Sequence, residues 1–269
     1  MSDAALRVGE AVFSYREAGS GPPLVLLHGI GGSAASFRDQ LVGLAAQFRM
    51  LAWDAPGYGG STPLAAAAPD AGAYAAALER WLDALGLDRI HLLGHSLGAL
   101  IAVRFAAEQP RRVVTLTLSG VARGHGHLPS AERRRRLRAR LDALAALGPR
   151  GMAERRGPRL LGSEASAAMR ERVVATMARV RPEGYAPAAH MLANADIAAD
   201  LVRLPRTLPV QIIVGADDAI TPPAANREIA ALCAGAPVHI VPGAGHALYL
   251  EKPEAFNRLV GAFVAAHII

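Results

Sequence analysis

The sequence predicts an α/β fold: a mostly parallel β-sheet covered by helices on both faces, with a helical insertion in the middle of the chain. Two observations carry this. Over the first 120 residues, short unbroken apolar runs alternate with stretches of helical spacing. The alternation stops between about Val121 and Arg206, where only helical patterns appear, and it resumes after Pro205 and Pro209. Unbroken apolar runs mark strands buried on both faces, and amphipathic stretches between them mark covering helices.

The elements follow in order. Leu24 to Leu27 reads as a strand ending at a Gly-rich turn. Phe37 to Phe48 has helical spacing, with Leu41, Leu44, Ala45 and Phe48 on one side. Arg49 to Trp53 is a second strand, closed by Asp54-Ala55-Pro56-Gly57. Tyr74 to Leu85 is a helix with Leu78, Trp81, Leu82 and Leu85 as its stripe. Ile90 to Leu93, Leu97 to Glu108 and Val113 to Leu118 read as strand, helix and strand. In the insertion, Leu137, Leu141 and Leu144 form one stripe and Met169, Val173, Val174 and Met177 another. Val210 to Val214, Ala224 to Leu232, Val238 to Val241 and Pro253 to Ala266 complete the pattern as strand, helix, strand and helix. The expected organisation is one α/β domain in two parts, residues 1–120 and 207–269, interrupted by a helical segment, residues 121–206.

Composition excludes several classes. Half of the 269 residues are apolar (52%), so the chain can bury a large core and is not a disordered protein. No charge-free apolar stretch of ~18 residues is present, so no membrane span is expected. The first ten residues lack the pattern of a secretory signal. Cys233 is the only cysteine, which leaves no intrachain disulfide and makes a cytoplasmic protein the default expectation. The net charge of +6 is uneven: residues 121–206 carry 17 Arg against 8 acidic residues, +9, and the remainder carries −3. A nucleic-acid surface would interleave aromatic residues with this charge, but Tyr185 is the only aromatic residue there, so no nucleic-acid partner is expected.

The chemistry concentrates at Gly94-His95-Ser96-Leu97-Gly98, which lies between a predicted strand and a predicted helix. A serine hydroxyl needs a base to remove its proton as it attacks. A sharp strand-to-helix turn at G-x-S-x-G lifts such a serine above a sheet, and the small flanking residues permit the turn. A serine capping the helix start is the simpler alternative, and the partners weigh against it. The reaction develops charge on a carbonyl oxygen, so donors must be in place. The backbone N–H of Leu97 is one candidate, and the N–H of Ile30, in the turn after Leu27-His28-Gly29, is the other. Among nine histidines, His246 stands in a turn directly after the last predicted strand, where functional crevices of open α/β sheets form. His28 is expected to organise its loop. His95 is expected to point away from the chemistry. The orienting carboxylate comes from Gly215-Ala216-Asp217-Asp218, where either aspartate satisfies the order Ser, Asp, His. His125-x-His127 has metal-ligand spacing but no matching acids or cysteines, so neither a metal nor a cofactor is expected.

Five ordered motifs together resemble the α/β-hydrolase family: His28-Gly29, Asp54 to Ser61, the Gly94–Gly98 turn, the Asp218 loop, and Gly245-His246 followed by Glu251-Lys252-Pro253. The resemblance covers nearly the whole chain outside the insertion. It implies that Asp218, in register as D-x-x-T-P with Thr221 and Pro222, is the acid rather than Asp217. It also implies that residues 121–206 form a helical cap over the site. The serine nucleophile sets the chain apart from branches of that family with an aspartate nucleophile. Arg181-Pro182-Glu183-Gly184-Tyr185 is similar to part of 3-oxoadipate enol-lactonase-like members. The function so implied is hydrolysis of a small-molecule carboxylic ester or lactone through an acyl-enzyme. A carbon–carbon hydrolase of ring-cleavage products is the alternative within the family, although His95 and Ala247 depart from its pattern. A ligand receptor or acyltransferase on the same fold is a further alternative. The basic insertion points to an anionic substrate, with Arg123, Arg181 and Tyr185 as candidate contacts, while Arg133 to Arg136 read as a solvated helix face.

Overall fold

A computed structural model describes residues 1–268 and contains an eight-stranded sheet in the order β1-β2-β4-β3-β5-β6-β7-β8. Its strands are β1 (Ser2–Val8), β2 (Ala11–Ala18), β3 (Pro23–Leu27), β4 (Arg49–Trp53), β5 (Ile90–His95), β6 (Val113–Ser119), β7 (Val210–Gly215) and β8 (Val238–Val241). The β1–β2 and β2–β4 pairs are antiparallel and all others are parallel. From β3 to β8 the strands are the apolar runs read from the sequence. From β3 to β7 they are almost wholly buried, as helix-covered parallel strands must be, while β8, at the edge of the sheet, is half-buried over Val238 to Ile240.

The hairpin β1–β2 goes beyond the sequence reading. Its signal is a short period of two: Phe13 and Tyr15 are buried on β2 while Val12, Ser14 and Arg16 beside them are less so. The turn at Gly9 has φ +60°, the left-handed region that favours glycine.

The helices are α1 (Arg38–Gly43), α2 (Ala71–Ala84), α3 (Leu97–Glu108), α4 (Ser130–Arg156), α5 (Ala167–Met177), α6 (Pro182–Asn194), α7 (Ile197–Leu201), α8 (Pro223–Leu232), α9 (Leu248–Glu251) and α10 (Pro253–Ala265). Asp70 caps α2 by accepting from the N–H of Ala73, a contact worth about 1 kcal/mol. The predicted helix from Phe37 to Phe48 is shorter than expected: a 3₁₀ turn at Ala34–Phe37 leads into α1, which ends before Leu44. The four helices α4 to α7 occupy the segment between β6 and β7, where the sequence showed only helical pattern. Helix α4 breaks at Gly148, φ +64°, immediately before Pro149.

The order places a switch in direction at β3, which is flanked by β4 on one side and β5 on the other. Turns leaving the carboxyl ends of β3 and β5 therefore lie side by side, the position where open α/β sheets bind ligands. The ends of β6, β7 and β8 follow in sequence along the same edge.

Candidate active site

Ser96 sits between β5 and α3 with φ 54° and ψ −114°. Among the described residues only two that are not glycine adopt positive φ, and Ser96 is one. Strain of this kind costs about 1–3 kcal/mol and persists only where the surroundings impose it. Here they do. A Cβ on Gly98 would run into the carbonyls of Leu27 and His28, and one on Gly94 would lie 2.7 Å from the Cα of Ala99. Gly29 presses on the serine from the β3 turn, since a Cβ there would sit 3.1 Å from Ser96 Cβ. Gly94 and Gly98 are thus required by close backbone approach, and a side chain on Gly29 would crowd the serine itself.

The β3 turn is held by its histidine. His28 Nδ1 lies 2.8 Å from the Gly29 carbonyl, and His28 Nε2 accepts from the Ala55 N–H at 3.1 Å. Burial pushes the His28 pKa down, consistent with a neutral ring that accepts at Nε2. The Tyr58 hydroxyl donates to the Ile30 carbonyl at 2.7 Å and fixes the peptide chain beyond it. Asp54 ties this turn to its own loop through the N–H of Ala34, 2.8 Å. Among the described residues neither the Ile30 N–H nor the Leu97 N–H has a protein acceptor, and both residues line the same cavity as Ser96. Leu97 is the first residue of α3, so its N–H is free by helix geometry.

His246 and Asp218 meet after β8 and β7. His246 Nδ1 lies 2.8 Å from Asp218 Oδ2, and both residues are buried, at 5% and 2% exposure. The D-x-x-T-P spacing explains the carboxylate's setting. Its Oδ1 accepts from the N–H groups of Ile220 and Thr221, each at 2.8 Å, and the Thr221 hydroxyl donates to Oδ2 at 2.8 Å. Burial raises the Asp218 pKa, but hydrogen bonding to His246, the His246 charge and the Thr221 donors outweigh it and hold the carboxyl below its ordinary value. Asp217 points elsewhere and accepts from the Ser163 hydroxyl at 3.1 Å. The ring of His246 passes over Gly120, at the end of β6, where a Cβ would lie 3.1 Å from His246 Nδ1.

The cavity that joins these groups measures about 580 Å³ and is lined from both parts of the chain, including Ser96 and His246, Ile30 and Leu97, and Tyr185 of the segment between β6 and β7. Among the described residues no hydrogen bond links Ser96 to His246. Tyr185 is 1% exposed and lies beside Arg140. Arg123 also lines the cavity and pairs with Asp196 at 3.3 Å. Arg181 does not line it. Its Nε and Nη2 donate to the carbonyls of Gly57 and Ser61 at 3.1 and 2.8 Å, because α6 begins against that loop and a Cβ on Gly184 would collide with Gly57. Arg136 lies on the cavity while also pairing with Glu132, so the run Arg133 to Arg136 is not wholly a solvent face.

Two residues named in the sequence motifs make contacts that the sequence does not state. The His95 ring, expected to point away, packs 4.8 Å from the His246 ring, and its pKa is driven well below the ordinary value by burial and then by His246. Glu251 is buried and accepts from the N–H of Gly245 at 2.9 Å and of Gly162 at 2.7 Å. His125 and His127 line the cavity, but no group of three or more His, Cys, Asp or Glu among the described residues is placed to hold a metal ion. No helix among them is long and apolar enough to cross a membrane.

A family model described as alpha/beta hydrolase fold matches residues 22–253. The chain belongs to the α/β-hydrolase family. Within it, the chain is 33% identical over 256 residues to a protein of Variovorax paradoxus named "Putative carbamate hydrolase RutD", covering 91% of this chain and 92% of that one. The thermophilic esterase of Thermogutta terrifontis superposes with a TM-score of 0.89 at 26% identity, each chain covered completely (100%). The enol-lactonase of Burkholderia xenovorans superposes with a TM-score of 0.84 over 97% of this chain and 100% of that one, and at 23% identity this likeness speaks to the fold alone. This α/β-hydrolase is therefore a hydrolase by family, with a small-molecule-sized cavity at the edge where the fold places its chemistry.

Proposed function

We propose that this chain is a serine hydrolase that cleaves a carboxylic ester or lactone of a small molecule through an acyl-enzyme, with residues 121–206 as a cap over a core formed by 1–120 and 207–269. The observation that carries the reading is the buried His246–Asp218 pair at 2.8 Å beside the strained Ser96. With Nδ1 committed to Asp218, Nε2 is the ring nitrogen available to Ser96. In this reading Ser96 Oγ attacks the carbonyl carbon as His246 takes the hydroxyl proton. The Ile30 and Leu97 N–H groups receive the oxyanion. Collapse breaks the acyl–oxygen bond, and His246 returns the proton to the departing alcohol. Water, deprotonated by His246, then releases the acid and restores Ser96. Asp218 stabilises the imidazolium that forms in each half.

The relationship to RutD favours a second scissile group, a carbamate, attacked by the same serine at the carbamoyl carbon. A panel of activated esters, lactones, carbamates and a ring-cleavage dienoate separates these possibilities. Turnover highest on esters or lactones supports the first reading. Turnover confined to carbamates replaces it with the second. Turnover confined to the dienoate, or acylation without turnover, overturns both.

A further inference from the structure

Among the described residues six arginines line the cavity, against a single carboxylate, Glu228 on α8. Three of the six are paired with acids: Arg123 with Asp196, Arg136 with Glu132, which it shares with Arg135, and Arg172 with Asp39. Among the described residues Arg140, Arg156 and Arg159 pair with no acid. Arg159 is exposed to solvent, whereas Arg140 and Arg156 are half-buried.

Arg140 and Arg156 belong to the same helix, sixteen residues apart. In an unbroken α-helix that spacing would separate them by about 24 Å. The helix is broken at Gly148–Pro149, and both arginines, one from each half, line the one cavity. The buried Tyr185 hydroxyl lies 3.5 Å from Arg140 Nη1. Burial first, and then the Arg140 charge, hold the Arg156 guanidinium below its ordinary pKa. The same positive neighbourhood acts on His125, whose pKa burial and then Arg140 and Arg136 push down to about 4. Two half-buried like charges with no counter-ion repel each other across a low-dielectric wall, and an anion placed between them removes that repulsion.

We propose that Arg140 and Arg156, with the Tyr185 hydroxyl, form an oxyanion subsite in the cavity, and that the substrate carries a carboxylate or phosphate group remote from its scissile bond. The planar guanidinium forks suit either group, each offering paired oxygens. This deepens the hydrolase reading above and rests on it for the turnover measurements, but not for binding.

The test uses 4-nitrophenyl esters of one acyl chain ending in a carboxylate, its methyl ester, or a phosphonate. Charge-assisted hydrogen bonds give an expected preference in kcat/KM of about 10- to 150-fold for an anionic end over the methyl ester. The better of the two anions identifies the group. The preference should persist at about 0.5 M salt, because the arginines contact the anion rather than steer it from a distance. Arg140→Gln and Arg156→Gln should each bring the ratio toward one, while Arg134→Gln, on the exposed side of the same helix, should leave it in place. A ratio is independent of how much enzyme folds. If no ester is turned over, Ser96→Ala titrated calorimetrically with adipate and with dimethyl adipate still reads the subsite. Binding of adipate alone would then support it while the hydrolase reading failed. A methyl ester cleaved as well as both anions, or adipate and its diester bound equally, overturns it.

Discussion

Glu251 accepts a hydrogen bond from the backbone N–H of Gly245, 2.9 Å away, and so grips the residue that precedes His246. Its other carboxylate oxygen takes the N–H of Gly162, in the segment between β6 and β7. The Ala247 N–H donates to the Leu160 carbonyl at 2.8 Å, a second tie between the same two loops. A Cβ on Gly245 would lie 2.6 Å from the Leu161 carbonyl carbon, so the loops touch backbone to backbone. The histidine loop and the helical segment are therefore fastened to one another through one buried carboxylate.

Glu251→Gln tests that fastening. A carboxylate offers both oxygens, whereas glutamine offers one oxygen and an amide nitrogen that cannot accept. One of the two N–H groups then loses its partner, which costs about 1–3 kcal/mol. Denaturant titration should show this loss, and kcat should fall as His246 loses its fixed position. Stability and kcat both equal to wild type would show that the bridge holds nothing in place.

The two adjacent aspartates should behave very differently. Asp218→Asn removes the charge behind the histidine and should lower kcat/KM by up to ~10⁴-fold. Asp217, whose carboxylate accepts from Ser163 near the surface, should tolerate Asp217→Asn with a change of less than ~10-fold. Parallel kinetics on one activated ester decide the matter, and a larger loss at Asp217 would reverse the assignment.

Most of the fold was legible because burial leaves simple marks. Strands covered on both faces read as short apolar runs, and β3 to β7 carry that mark, while the edge strand β8 is half-buried and carries it less fully. The β1–β2 hairpin was not, since one of its faces is solvated and alternation among alanines is a weak signal. The Asp218–His246 pairing was legible because each stands in a turn after a strand, and the choice of Asp218 over Asp217 came from the D-x-x-T-P register of the family resemblance. His95 was misread: its neighbourhood depends on Gly120, a residue whose smallness matters only once β5 and β6 are paired. Arg181 was a candidate for its place near the hinge of the basic insertion and the Tyr185 stretch, but packing of α6 on the Gly57 loop sends its side chain to backbone carbonyls. The approach of Arg140 and Arg156 depends on a helix break whose angle no local pattern states.

Acid should destabilise the protein earlier than its carboxylates alone would. Burial lowers the pKa of His28 and His95, and lowers His91 and His125 to about 4. Below the ordinary value near 6.5 the unfolded chain binds protons at these positions while the folded chain does not. Their contribution to stability is thus present above about pH 6.5 and lost as pH falls from there. Asp218, with its lowered pKa, adds a loss of the same sign only below its ordinary value of 3.8. Glu251, with its raised pKa, acts oppositely, stabilising below 4.5 and less as pH rises, but it is one group against four. Unfolding free energy measured from pH 7.5 downward should begin to fall near 6.5. A flat profile into the carboxylate range would contradict this.

Ser96 carries the chemistry in the proposed reaction, and covalent labelling reads it directly. A fluorophosphonate should modify the protein to one equivalent, with the mass on the peptide containing Ser96 and activity lost in step. Ser96→Ala should fold, take no label, and lose about 10⁴- to 10⁶-fold in kcat, as catalytic serines generally do. Label on another residue, or more than a tenth of the activity surviving in pure Ser96→Ala, would contradict the assignment.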